Sequence, residues 1–199
     1  RRIVEGMGVS AGETVLEIGP GEGALTEWLL KTSASRLVLV EIDTRLAGYL
    51  RGRWGGESRV EVVEGDFLKR GWLDRISKDE RIRAVGNIPY QITSLILFLV
   101  LELRDYFQDL TVTVQREVGE RLSSGPGTKI YGVPSVLMQA FGRVETKGKI
   151  PRERFFPVPK VDSIVVHWEL YRRLPWGIDD PGHFQHLVKT VFSQRRKML

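Results

Sequence analysis

Thr14-Val15-Leu16-Glu17-Ile18-Gly19-Pro20-Gly21-Glu22-Gly23 is the stretch that decides the fold. Five residues of strand character run into three alternating glycines, and residues 24–31 then put Leu25, Trp28 and Leu29 on one helical face. A strand that ends in a glycine turn and opens a helix is the first half of a βαβ unit. The pattern recurs outward from there. Residues 36–41, 60–64, 82–86 and 110–114 read as four further strands, with helices over 44–51 and 93–103. Strands that alternate with helices predict an open, mostly parallel sheet covered on both faces. The class is α/β, Rossmann-like.

The second half changes style. Residues 122–129 (LSSGPGTK) read as a turn-rich loop and 136–141 as a helix. Two strands, 144–150 and 163–170, flank the stiff segment Phe155-Phe156-Pro157-Val158-Pro159, and a last helix covers 181–192. These final strands are expected to form an antiparallel hairpin at the end of the sheet.

Composition narrows the function classes. The chain has 199 residues, 42% hydrophobic and 28% charged, with no Cys. That length suits one domain, or one domain with part of a second. Without Cys there is no disulfide scaffold, thiolate nucleophile or cysteine zinc site. The three His (His167, His183, His186) lack ligand spacing and read as structural, so no metal is expected. The longest apolar run, residues 95–101, is far short of the roughly 20 residues that cross a bilayer. No basic-then-apolar leader opens the chain. A cytoplasmic, monomeric protein away from membranes is expected. The net charge of +5 lies wholly in the second half: residues 1–100 hold 14 Lys+Arg against 14 Asp+Glu, and 101–199 hold 16 against 11. That surplus suits either a solvated face or a polyanion such as nucleic acid.

Three strand tips carry matched chemistry. The glycines 19, 21 and 23 let a ligand approach the main chain closely. Glu41 ends the second strand, where a carboxylate can accept both hydroxyls of a ribose. Asp66 follows the third and can accept an exocyclic amine of adenine, with Phe67 against the ring. Gly19-x-Gly21-x-x-Ala24 with a later acid also fits the dinucleotide fingerprint. Pro20, the extra Gly23 and the second carboxylate at Asp66 weigh against NAD. Asn87-Ile88-Pro89-Tyr90 sits at the end of the fourth strand, the edge where open α/β sheets bind ligands.

E-I-G-P-G-E-G (17–23), V-E-I-D (40–43), E-G-D-F (64–67), N-I-P-Y (87–90), F-F-P-V-P-K-V-D-S (155–163) and F-S-Q-R-R-K-M-L (192–199) occur together, in this order. In these motifs the chain resembles the ribosomal RNA adenine N6-dimethyltransferases of the KsgA (RsmA) type. The resemblance implies an S-adenosylmethionine-dependent fold and methylation of two adjacent adenosines in a hairpin loop near the 3′ end of small-subunit ribosomal RNA. The partner implied is the immature small ribosomal subunit. The implied cofactor site comprises Glu17, Gly19, Gly21, Gly23, Glu41, Ile42, Asp66, Phe67 and Asn87. It also implies a catalytic domain over 1–175 and, over 176–199, the start of a helical RNA-binding lobe. The family's N-terminal segment is expected to lie ahead of Arg1, and most of the lobe beyond Leu199. Ile88 stands where leucine is more usual and matches the related methylases of large-subunit RNA.

The residue chemistry agrees. An adenine N6 lone pair is delocalised and weakly nucleophilic. The side-chain oxygen of Asn87 and the main-chain carbonyl of Ile88 can accept both N6 protons and favour a tetrahedral nitrogen, so orientation and electrostatics carry the step. Pro89 fixes the backbone. Tyr90 can stack on the flipped base. By family analogy Phe155 covers the other face, while Phe156 better fits a core position. Trp28, Trp54, Trp72, Trp168 and Trp176 are scattered and read as packing residues. Arg195, Arg196 and Lys197 are candidates for phosphate contacts. Methylation of large-subunit RNA, and a non-catalytic RNA-binding assembly or transcription factor on this fold, are the competing readings.

Overall fold

A computed structural model describes residues 2–77 and 79–194. The elements in chain order are α1 (Arg2–Glu5), β1 (Thr14–Ile18), α2 (Thr26–Leu29), β2 (Arg36–Glu41), α3 (Thr44–Trp54), β3 (Val60–Glu64) and β4 (Ile82–Gly86). They continue with α4 (Thr93–Glu102), β5 (Phe107–Gln115), α5 (Arg116–Leu122), α6 (Val133–Phe141), β6 (Gly142–Ile150), β7 (Ser163–Leu170) and α7 (Pro181–Ser193). The strands form one sheet in the order β3-β2-β1-β4-β5-β7-β6. The first five are parallel, and β7 runs antiparallel to both β5 and β6. The expected terminal hairpin is therefore present, with its second strand inserted between the first and the body of the sheet.

Alternation along the strands builds two cores. Val15, Leu37, Leu39 and Val85 pack with Leu25, Leu29, Leu50 and Trp54 on one face. Leu16, Val38, Val40 and Ala84 pack on the other with Ile96, Val100, Leu137 and Phe141. Neighbouring residues thus point to opposite faces, each covered by helices, as strands buried on both sides require. The α7 helix joins the second core through Val188, with the Phe184 ring 6.0 Å from Phe141. At the pole where the parallel strands begin, Arg83 holds Glu13 (2.7 Å), Asp109 (2.5 Å) and the Met7 carbonyl (2.6 Å).

Several boundaries differ from expectation. The first helix contracts to Thr26–Leu29 because Gly21 (φ 59°) and Gly23 (φ 85°) hold the preceding residues in turns. The α5 helix is absent from the sequence reading: Gly119, a poor helix former, sits in its middle. It is there for packing, since a Cβ at that position would lie 2.2 Å from Ile164 Cγ2 on β7.

Candidate active site

The sheet order reverses between β1 and β4, and ligands bind at such a switch point, outside the carboxyl ends of the strands. The tips of β3, β2, β1 and β4 stand side by side there. They present Asp66, Glu41, the 19–23 loop and Asn87 in sequence across three strand spacings of about 4.8 Å each.

The loop is shaped by its own neighbours. Gly19 (φ 63°) and Gly21 adopt the left-handed region, and a Cβ on either would meet nothing within 4 Å, so the main chain faces open space. Glu41, 4% exposed, accepts from the Gly21 N–H and from the Asp43 N–H, each at 2.9 Å. It therefore ties the glycine loop to the second strand and keeps the remaining lone pairs of its carboxylate for a ligand. Asp43 then caps α3, accepting from the Arg45 and Leu46 N–H groups. Beneath the loop, Glu17 is wholly buried and accepts from Thr26 Oγ1 at 2.6 Å. Burial, reinforced by the nearby Glu41 charge and opposed by the Thr26 hydrogen bond, pushes its carboxyl up to about 7. Glu17 is a buttress of the loop, away from its open side.

Asp66 accepts from the Leu68 N–H at 2.9 Å through one oxygen and starts a short turn over Phe67–Lys69. That turn swings Phe67 inward, where its ring stacks on Trp72 at 4.9 Å with 5% exposure. The sequence reading set Phe67 against an adenine ring; the ring belongs to the core instead. The open apolar side chain at these tips is Ile42, 67% exposed.

Beyond β4, Asn87 is exposed and the Ile88 side chain is buried, which anchors the main chain between them at the strand tip. Pro89 sits at φ −58°, ψ 136°. Tyr90 is half-buried, its hydroxyl 2.5 Å from Ser163 Oγ. Asn87, Ile88, Pro89 and Tyr90 share an open cleft of about 460 Å³ with Phe155 and Phe156, within the size range of small-molecule sites. The two aromatic motifs, far apart in sequence, are thus brought together. A larger groove of about 650 Å³ runs between α4 and α7 past Leu95, Phe98 and Gln185 and contains none of these residues.

One of the two phenylalanine assignments is overturned. Phe156, expected in the core, is 100% exposed, and Phe155 is half-buried. The cause is the extended backbone at Phe155 (φ −111°, ψ 148°), along which successive side chains diverge. Ser163 has no role in the sequence analysis although it ends the F-F-P-V-P-K-V-D-S stretch; its burial and its bond to Tyr90 emerge only in the fold. Trp54 was read as packing, and its ring closes against the loop so tightly that a Cβ on Gly23 would lie 2.0 Å from it. His167 is buried with Nδ1 2.8 Å from Thr111 Oγ1, a structural role. Arg195, Arg196 and Lys197 lie outside the described residues. Among the described residues no cluster of His, Asp and Glu could hold a metal, and no helix is long and apolar enough to cross a membrane.

Residues 1–199 match the family described as Ribosomal RNA adenine dimethylase. Ribosomal RNA small subunit methyltransferase A of Geobacter metallireducens is 41% identical over 200 residues, covering 100% of this chain and 72% of the relative. The protein of that name in Pseudomonas aeruginosa is 38% identical over 198 residues, covering 100% and 74%. Among solved structures, a dimethyladenosine transferase from Plasmodium falciparum superposes with a TM-score of 0.83 at 27% identity, over 97% of this chain and 68% of that one. The 23S rRNA methyltransferase ErmE superposes with a TM-score of 0.81 at 31% identity, over 97% and 75%. The chain therefore belongs to the ribosomal RNA adenine dimethylase family and is a methyltransferase.

Proposed function

We propose that this chain transfers methyl groups from S-adenosylmethionine to N6 of two adjacent adenosines of small-subunit ribosomal RNA, in the cytoplasm, while the subunit is being assembled. The observation that carries the reading is the order β3-β2-β1-β4, which sets an amine acceptor, a diol acceptor and an open glycine main chain in line with the Asn87–Tyr90 cleft. The donor groups fit the cofactor. Asp66 would receive the adenine amine, Glu41 the ribose hydroxyls, Ile42 the face of the base, and the Gly19–Gly21 main chain the remainder. Relatives about 40% identical carry the small-subunit name, which supports that substrate over large-subunit RNA.

Bound there, S-adenosylmethionine supplies an electrophilic methyl group. The protein supplies geometry. The Asn87 side-chain oxygen and the Ile88 carbonyl accept from the target N6–H groups, drawing the nitrogen toward a tetrahedral shape. Buried Ile88 and the fixed φ of Pro89 hold these acceptors still. The Tyr90 ring, held by Ser163, and the Phe155 ring take the two faces of an extruded adenine. On methylation N6 would release one proton toward the Asn87 and Ile88 acceptors and on to water through the open cleft. The segment from residue 176 is proposed to begin the RNA-binding lobe, and the chain to act as a monomer.

The test is transfer of labelled methyl groups to purified immature small and large subunits, with NAD titrated alongside S-adenosylmethionine by calorimetry. Label in small-subunit RNA as dimethyladenosine is expected. Label confined to the large subunit would move the chain to the other branch, for which the likeness to the 23S enzyme speaks. RNA binding with no label on either subunit would favour an assembly factor.

A further inference from the structure

Phe156 is wholly bare to solvent, yet it lines the same cleft as Asn87 and Tyr90. Scattered exposed apolar side chains need no explanation. This one differs in three respects. Its ring adjoins the catalytic cleft at the lip, one residue beyond Phe155. It is held between Phe155 and Pro157 in a segment stiffened again by Pro159, so little freedom remains to be lost on binding. The exposed cations Arg154 and Lys160 bracket it, the arrangement of a stacking surface beside a polyanion.

We infer that Phe156 is a second stacking platform, which receives the base of the nucleotide adjoining the target adenosine. This rests on the RNA methylation reading above. An adenine taken out of its stack leaves a neighbouring base with an unpaired face, and an exposed aromatic ring replaces that lost contact. Arg154 and Lys160 then lie where the phosphates of the same nucleotides pass. With two adjacent adenosines, one occupies the Asn87–Tyr90 cleft while the other waits on Phe156. The second round of methylation is then a step of one nucleotide between two preformed places.

The test compares the full chain with Phe156→Ala and Phe156→Tyr on immature small subunits, reconstituted with RNA that is intact or abasic on either side of one target adenosine. Single-turnover rate, KM for RNA and cofactor affinity are measured, with thermal melting as the control for folding. Phe156→Ala is expected to raise KM roughly five- to hundredfold on intact RNA, the range of one base–aromatic stack. One of the two abasic substitutions is expected to raise KM of the wild type equally and to add nothing for Phe156→Ala. Phe156→Tyr restores affinity, and cofactor affinity is unmoved in all. An unchanged KM for Phe156→Ala, or abasic and alanine effects that combine in full, overturns the platform while leaving methylation intact. Absence of methyl transfer by the wild type overturns the underlying reading and the platform with it.

Discussion

The hydroxyls of Tyr90 and Ser163 lie 2.5 Å apart, joining the end of the fourth strand to the beginning of the seventh across 73 residues of chain. Ser163 is fully buried and paired in register with both Gln115 and Ile150, so its position is fixed by two neighbouring strands. Tyr90, half-buried, takes its ring orientation from that anchor.

Tyr90→Phe leaves the buried Ser163 hydroxyl without this partner and is expected to destabilise the fold by about 1–3 kcal/mol. Ser163→Ala leaves the Tyr90 hydroxyl able to reach water and should cost less. Both should lower the single-turnover methylation rate while leaving cofactor affinity intact, and the double variant should be no slower than the worse single one. Denaturant titration and single-turnover assays on the four proteins check this.

Glu41→Ala removes the acceptor for two main-chain N–H groups as well as for a ribose. Its S-adenosylmethionine affinity is expected to fall by about 1–3 kcal/mol, and Glu41→Gln, which keeps one acceptor oxygen, should fall less. Calorimetry reads both.

Asn87→Ala should lower the single-turnover rate far more than RNA or cofactor affinity, because its acceptor oxygen matters most as the nitrogen changes shape. The side chain is exposed, so the variant is expected to melt with the wild type. Equal losses in rate and RNA affinity would assign Asn87 to ground-state binding.

Glu17 makes stability depend on pH in a defined direction. Unfolded, it ionises near the ordinary value of about 4.3; folded, near 7. Between those values the folded state keeps a proton that the unfolded state has lost, so stability is full below the unfolded value and falls as pH rises toward 7. At about 1.4 kcal/mol per unit the loss approaches 4 kcal/mol. Asp109, also pushed up to about 7 by burial, declines in the same window. The difference between wild type and Glu17→Gln, which keeps an acceptor for Thr26, isolates the first contribution. Denaturation at pH 5 and pH 7.5 should show a shallower decline in the variant; parallel declines would refute it.

What was legible in the sequence was local. The glycine loop, Glu41, Asp66 and Asn87 each follow a strand within a residue or two, so strand–turn–helix spacing placed them correctly. The misreadings concern which way a residue turns and what it packs on, which strand spacing does not decide. Phe67 turns inward because Trp72 waits in the core, Phe156 stays out because Phe155 takes the inner side, and α5 forms because Gly119 lets it press on a strand made more than 40 residues later. What weighs against the NAD alternative is local too: Pro20, the extra Gly23 and a second carboxylate, Asp66, on the adjacent tip.

The place of β7 in the sheet sets an order of events during synthesis. β6 precedes β7 in the chain but has no other neighbour in the sheet, so it stays unpaired until β7 has been made. The four tips that would cradle the cofactor are complete once Asn87 is in place. The cleft for the base closes only when Ser163 enters the sheet beside Gln115 and meets Tyr90. In chain order, the residues that would hold the methyl donor thus come well before the one that completes the place for a nucleotide, which belongs to the last strand.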